Sequence, residues 1–263
     1  MPKILIDKFT NTLSKPENFL QTIMLYALVK KIEKTNCDRN RIFSFWESGN
    51  GLKWFNNENG NKLQYSKEHF ENQSKFLLTK INNLILSKKI NNSLLIDISV
   101  GNASFLNFFA QKINGNVLPV GFDINKLVIK QNRMNNKLSH IYFKYGLLQQ
   151  YGKYILNLLK KRTIFFLSRK SLSFYNNQEL NNLLKFTSRI SAVHYFIVIE
   201  ANNFNYKINE ETKLRDHPQF YGHNYPLIFQ KHNYLLMQSK IIYNNFFLND
   251  HTTNFIFKKI TKI

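Results

Sequence analysis

From residue 93 onward, short continuous runs of apolar residues alternate with stretches in which apolar residues recur every three or four positions. Continuous runs are typical of strands buried on both faces, and the wider spacing is typical of amphipathic helices. The pattern predicts strands at Ser93–Ile98, Val117–Asp123, Ile141–Tyr145, Thr163–Ser168 and Val193–Ala201. It predicts helices between them at Asn102–Ile113, Asn125–Asn136, Leu147–Leu159 and Asn177–Arg189. Strands that alternate with helices form a parallel sheet covered on both faces, so the sequence predicts an α/β fold with a doubly wound sheet.

The C-terminal region breaks this alternation, because two predicted strands follow each other without a helix between them. A helix is predicted at Tyr225–His232, and the strands are predicted at Tyr234–Ile242 and Thr253–Ile260. The link between these strands has only about ten residues, which is too short for a crossover that contains a helix. We therefore expect a terminal antiparallel hairpin that completes a mainly parallel, seven-stranded sheet.

Helical patterns and a polar loop precede the first strand. Pro16–Thr35 and Ser66–Lys88 have apolar residues at helical spacing, and Arg39–Tyr65 between them contains both tryptophans and three glycines. The intervening segment is either a lid or a simple connection. The sequence predicts an N-terminal helical and loop extension at residues 1–65, which is a candidate lid, and a Rossmann-like domain at residues 66–263.

The chain of 263 residues is strongly basic, with 37 Lys and Arg against 16 Asp and Glu and a net charge of +21. This excess would attract polyanions, but it also fits a solvated basic surface, so the charge leaves both interpretations open. The single cysteine, Cys37, excludes an internal disulfide, and no Cys/His cluster has the spacing of a zinc site. The most apolar stretch, Phe19–Val29, is too short to span a membrane, and no targeting segment is visible, so we expect a cytoplasmic protein.

Acidic residues are rare in the middle of the chain, and their positions are therefore informative. Between Asn72 and Gln178 the only acids are Asp97 and Asp123, and each ends a predicted strand. Ligands of doubly wound sheets bind beyond the carboxyl ends of the strands, and a buried carboxylate is costly without a partner. The two acids therefore predict a ligand site. The same scarcity of acids argues against a metal site.

The residues around these acids resemble a known family. The stretch Leu95–Leu106 resembles the first motif of the class I S-adenosylmethionine-dependent methyltransferases, in which an acid closes the first strand and a Gly-x-Gly-x-Gly turn leads into a helix. Val120–Ile124 is similar to the motif of the second strand, and the resemblance covers roughly Ser66–Ile263. Ser99 and Ala103 stand where the family usually has its first and third glycines, and only Gly101 remains.

The resemblance implies a methyltransferase that uses S-adenosylmethionine as its cofactor. It assigns Asp123 to the ribose hydroxyls, Ile124 to the adenine ring, and Asp97 to the region of the methionine amino group. The expected cofactor-binding set is completed by the residues of the turn and of the fourth strand, Ser99, Gly101, Ala103 and Ser168. Two structural interpretations remain open: Asp123 could cap the following helix, and Asp97 could order a loop. The altered glycines also leave open a catalytically inactive partner subunit.

A general base is predicted in the polar segment Leu214–Pro226, where His223 and His217 are the candidates because imidazole titrates near neutrality. His223 could instead cap the next helix or lie on the surface. Arg169, Lys170 and Arg215 could pair with a phosphate or carboxylate of the substrate.

The sequence lacks an Asn/Asp-Pro-Pro-aromatic tetrapeptide and has no cysteine at a strand end, which favours an oxygen acceptor or a nitrogen that needs little activation. We expect O-methylation of a small molecule or a sugar or glycan unit, with the Trp46–Trp54 loop over the site. RNA is the alternative acceptor, bound by the basic surface and by exposed aromatic residues such as Trp46.

Overall fold

The computed structural model describes residues 44, 46–49, 52, 67–152, 155, 162–201, 212–214, 221–243 and 251–260. The predicted helix Pro16–Thr35 and the candidate base His217 lie outside the described residues. Most of the second half of the predicted helix Leu147–Leu159 also lies outside the described residues. The beginning of this segment is a 3-10 helix at Leu148–Tyr151.

The described elements follow the predicted alternation. The helices are α1 (Lys67–Ser87), α2 (Ser104–Lys112), α3 (Lys126–Met134), α4 (Asn177–Ser188) and α5 (Tyr225–Lys231). The strands are β1 (Asn92–Asp97), β2 (Asn116–Asp123), β3 (Tyr142–Tyr145), β4 (Thr163–Arg169), β5 (His194–Ala201), β6 (Thr212–Leu214), β7 (Tyr221–His223), β8 (Tyr234–Tyr243) and β9 (His251–Lys259). Further 3-10 helices lie at Asn136–Leu138 and Leu172–Phe174.

Seven strands form one sheet in the order β3-β2-β1-β4-β5-β9-β8. Neighbouring strands from β3 to β5 are parallel, and β9 is antiparallel to both β5 and β8. This topology confirms the predicted α/β fold and the terminal antiparallel hairpin. The small antiparallel sheet of β6 and β7 was not predicted, because strands of three residues are too short to show a periodic pattern.

The sheet separates two apolar layers, which explains the continuous apolar runs in its strands. Leu94 and Ile96 of β1 pack on one side with residues of α4 and α5, whereas Leu95 packs on the other side with α1 and α2. Because side chains alternate between the faces of a strand, each central strand stabilises both layers. No helix of the described segments is long and apolar enough to cross a membrane.

The carboxyl ends of β1, β2 and β4 lie side by side. Asp97, the last residue of β1, is opposite Gly121 of β2 and Leu167 of β4. The chain passes from β1 to β2 on one side, and β4 lies on the other, so the strand order reverses at β1. A crevice for ligands forms outside the strand ends at such a reversal.

Candidate functional site

Asp123 ends β2 and is held by backbone N–H groups on both sides. Its Oδ2 accepts a hydrogen bond from the Gly101 N–H at 2.9 Å, and its Oδ1 accepts one from the Asn125 N–H at 2.8 Å. The side chain is buried, and burial raises its pKa to about 6 although these N–H groups favour the ionised form. The carboxyl group therefore joins the turn after β1 to the start of α3.

The backbone of the turn between β1 and α2 forms hydrogen bonds with β2 and α3. Gly101 adopts φ +52°, and its carbonyl accepts a hydrogen bond from Asn132 Nδ2 at 2.7 Å. One residue earlier, the Val100 N–H donates to the Phe122 carbonyl at 2.7 Å. Gly121 permits this approach, since a Cβ there would lie 2.7 Å from Val100 Cγ2. Small residues are thus required where the turn passes β2.

The replaced glycines behave differently from each other. Ala103 is buried and has φ +60°, a left-handed conformation that glycine adopts more readily. Ser99 does not have a positive φ, and its N–H donates to Asp97 Oδ1 at 3.0 Å. The predicted helix start at Asn102 was therefore two residues early, because the positive φ at Ala103 delays the helix to Ser104.

Asp97 lies on the same face of the sheet as Asp123, at the end of the neighbouring strand. Burial raises its pKa to about 7, and the Asp123 charge raises it further, whereas the Ser99 N–H and the Arg169 charge oppose the shift. Two carboxyl groups in a water-poor region thus share one crevice, an arrangement typical of functional sites. Among the described residues, no group of three or more His, Cys, Asp and Glu side chains is arranged to hold a metal ion.

Arg169 ends β4 and reaches α1. Its Nε donates to Gln73 Oε1 at 2.9 Å, and its guanidinium carbon lies 5.0 Å from the ring centroid of Phe70 and 4.9 Å from that of Phe105. Lys170 follows with φ +53°, and its N–H donates to the Ile199 carbonyl at 2.8 Å. The left-handed backbone of Lys170 thus follows directly on the last residue of β4.

Residues Trp46–Ser48, which we name the strap, contact both sides of the crevice. Asn125 Nδ2 donates to the carbonyls of Trp46 and Ser48, and the Trp46 ring meets Phe174 edge-on with centroids 5.0 Å apart. Asn125 follows β2 and Phe174 follows β4, and these strands are the two neighbours of β1 in the sheet. The strap thus links the segments that follow the carboxyl ends of β2 and β4.

Ser168, a predicted cofactor residue, lies on the opposite face of the sheet from Asp97, in the layer that contains Phe166. Its Oγ donates to Glu200 Oε1 at 3.0 Å, and the same carboxylate oxygen accepts the N–H groups of Ser171 and Leu172 at 2.7 and 2.8 Å. Burial raises the pKa of Glu200. Glu200 was not among the predicted site residues, although an acid near the end of an apolar strand is the same signal that identified Asp97.

His223, the described candidate for the general base, is buried beneath the segment that follows β4. Its Nε2 lies 3.1 Å from the Leu172 carbonyl and 2.9 Å from the Tyr175 carbonyl. Both partners are acceptors, so Nε2 carries a proton, and burial lowers the pKa of the ring to about 4. These contacts favour an anchoring role. The base role of His223 or His217 stays a prediction.

The arrangement brings together most of the predicted cofactor residues. Asp97, Asp123 and Gly101 surround the crevice, Ser99 and Ala103 shape its turn, and the partly exposed Ile124 follows Asp123. Such a site offers carboxylate acceptors for hydroxyl or ammonium groups and a backbone turn that allows close approach.

No family model matches the sequence, and no curated protein matches it. Among solved structures, the chain is similar to magnesium protoporphyrin IX methyltransferase from Synechocystis PCC 6803 with bound SAH. The identity is 15%, the match covers 85% of this chain and 100% of that chain, and the TM-score is 0.57. The same protein with bound SAM gives 14% identity, coverage of 86% and 100%, and a TM-score of 0.54. The chain therefore has the fold of the class I S-adenosylmethionine-dependent methyltransferases.

Proposed function

We propose that this protein is an S-adenosylmethionine-dependent methyltransferase that works without a metal ion. The observation that carries the proposal is the pair of buried acids, Asp97 and Asp123, at the ends of adjacent parallel strands beside the Gly101 turn. Buried carboxyl groups with raised pKa values are unfavourable for stability, and a ligand that donates hydrogen bonds to them explains their presence.

The residues at the crevice fit this cofactor. Asp123 Oδ2 accepts the Gly101 N–H and Oδ1 accepts the Asn125 N–H, and a carboxylate oxygen has a second lone pair that can accept a ribose hydroxyl. Asp97 is suited to the methionine ammonium group, and Ile124 to the adenine ring. Ser168 is the predicted cofactor residue that fits least well, because its hydroxyl belongs to the Glu200 network on the other face.

The bound cofactor would supply an electrophilic methyl group, and the chain would contribute positioning. Asp123 would orient the nucleoside, while Asp97 in its ionised form would orient the amino group. The strap would exclude water from the crevice, since it is fixed by Asn125 on one side and by Phe174 on the other. A hydroxyl acceptor would also need a base, for which His217 and His223 remain the candidates.

We infer that the acceptor is a small molecule or a sugar or glycan unit and that the transfer is to oxygen. The position of the strap supports this inference, because a covered crevice suits a compact acceptor better than a polymer. RNA is the second candidate acceptor, and the net charge of +21 is the observation that favours it. A catalytically inactive partner subunit is the third candidate, favoured by Ser99 and Ala103 at glycine positions.

Calorimetry with S-adenosylmethionine tests the proposal. We expect binding to the natural sequence and none to Asp123→Ala, because the variant lacks the acceptor for the ribose hydroxyls. Glu71→Ala, which removes an exposed acid from α1, is the matched control and should bind normally. Absence of binding by the natural sequence would favour the partner subunit, and retention by Asp123→Ala would show that the ribose assignment is wrong.

A further inference from the structure

The edge strand β8 exposes apolar side chains along much of its length. Among the described strands it has a hydrogen-bonded neighbour on one side only, β9, and it is the last strand of the large sheet. The side chains of Leu235, Leu236, Met237 and Ile241 are 55%, 36%, 37% and 51% exposed. Large apolar side chains that are concentrated on one exposed element mark an interaction surface.

The strand β8 lacks most of the features that keep sheet edges from pairing with other chains. Proteins usually protect an edge by keeping the strand short or by placing proline or lysine on it. The opposite edge strand, β3, has four residues, whereas β8 has ten and contains no proline. Its one lysine, Lys240, lies against α1, with Nζ 5.7 Å from the ring centroid of Phe76. The edge of β8 is therefore available to another strand.

We propose that two copies of this chain pair through β8 in antiparallel orientation and join their large sheets into one. The strand is regular from Gln238 to Tyr243, because its bulge lies between Leu236 and Gln238. In a symmetric antiparallel pair the twofold axis is perpendicular to the sheet, so facing side chains come from the same face of both sheets. Since side chains alternate between the faces, one residue of the strand must face its own copy.

The side chains of β8 favour one position of the axis. With Ser239 on the axis, Met237 faces Ile241 and Gln238 faces Lys240, so apolar residues meet and no like charges are opposed. An axis at Lys240 would place two lysines opposite each other, and an axis at Gln238 or Ile241 would place Lys240 opposite an apolar residue. The strand is thus self-complementary about Ser239, and this property favours a second copy as its partner.

The pairing surface is separate from the crevice of the proposed function. The strands β5 and β9 lie between β4 and β8, so the paired edge is three strand spacings, or about 14 Å, from β4. The inference therefore stands or falls independently of the proposed function.

Sedimentation equilibrium of the full chain tests the pairing. We expect a reversible dimer for the natural sequence, and at least about tenfold weaker association for Ile241→Lys, because a symmetric dimer contains the change twice. Leu86→Lys is the matched control, since Leu86 of α1 is 66% exposed and lies away from β8, and it should leave the association unchanged. Because each copy has a net charge of +21, the association should tighten when salt is raised from about 0.05 M to about 0.5 M.

Disulfide trapping tests the register. In a background in which the single cysteine is removed by Cys37→Ser, oxidation should link Ser239→Cys to a second copy of itself. Gln238→Cys alone should stay unlinked, because its two copies are two residues out of register and more than about 7 Å apart. A mixture of Gln238→Cys and Lys240→Cys chains should form the link that neither forms alone.

A natural chain that stays monomeric up to about 200 µM would overturn the inference, because an interface that weak is not specific. A dimer that Ile241→Lys leaves unchanged would also overturn it, and so would a dimer in which neither Ser239→Cys nor the mixed chains are linked.

Discussion

The Gly101 N–H donates a hydrogen bond to Asp123 Oδ2 at 2.9 Å, and this contact joins the turn after β1 to the end of β2. It brings together residues of both motifs on which the resemblance depends, 22 positions apart in the chain. The acid therefore has a structural role in ordering the turn, besides its proposed role toward the ribose hydroxyls.

Asp97→Asn should alter how stability depends on pH. In the folded protein the pKa of Asp97 is raised to about 7, so between about pH 4 and about pH 7 the folded state binds a proton that the unfolded state has released. The stability of the natural protein should fall across this window through Asp97, by at most about 1.4 kcal/mol per pH unit. The variant lacks this loss. The difference between its free energy of unfolding and that of the natural protein should therefore shift in favour of the variant from about pH 4 to about pH 7, and it should stay constant above about pH 7.

Urea unfolding at a series of pH values measures this difference, and the contributions of titrating groups that do not interact with Asp97 cancel in the comparison. Glu71→Gln is the control, because Glu71 is exposed on α1. A difference between Asp97→Asn and the natural protein that stays constant with pH would contradict the prediction.

Ala103→Gly should leave the free energy of unfolding unchanged or raise it by up to about 1 kcal/mol. Glycine relieves the strain of the left-handed backbone at φ +60°, which stabilises the folded state by about 1–2 kcal/mol. This gain offsets two losses, the burial of the methyl group and the greater conformational entropy of glycine in the unfolded chain. Ala110→Gly, inside α2, has no such strain and should lose about 1 kcal/mol. Thermal unfolding of the two variants checks the contrast, and an equal loss in both would show that Ala103 is not strained.

His223 should stay neutral across the physiological pH range. Its ring is buried with Nε2 between two carbonyl groups, and burial lowers its pKa to about 4. We expect its NMR signals to report the Nε2–H tautomer without change from about pH 5 to about pH 8. The same ring in urea-unfolded protein, which titrates in the ordinary range, is the control. Titration of folded His223 near neutrality would instead support the general-base prediction.

Asn125→Ser should release the strap without removing the cap of α3. Serine caps helices about as well as asparagine, so the Leu127 and Val128 N–H groups keep an acceptor. The hydroxyl cannot replace the two hydrogen bonds from Asn125 Nδ2 to Trp46 and Ser48. In a Trp54→Phe background, the fluorescence of Trp46 should shift to the red, while the free energy of unfolding changes by less than about 1 kcal/mol. An unchanged emission would show that Asn125 does not hold the strap.

Local sequence patterns were sufficient to predict the positions of the strands in the large sheet. The apolar runs located the strands of the large sheet to within about two residues. The ten-residue link indicated the antiparallel pairing of β8 and β9, because chain length limits how two strands can be joined. The positions of Asp97 and Asp123 at strand ends were also visible in the sequence, since each acid directly follows an apolar run.

The sequence by itself therefore determined the class of fold and the two acids of the candidate site, because both depend on residues that are close together in the chain. Only the tertiary structure decided that Arg169 meets Gln73 across 96 positions, that Asn125 holds Trp46 across 79, and that His223 lies buried under Leu172. Burial and hydrogen-bond partners at such separations arise from the packing of distant segments, and no local pattern of apolar and polar residues encodes them.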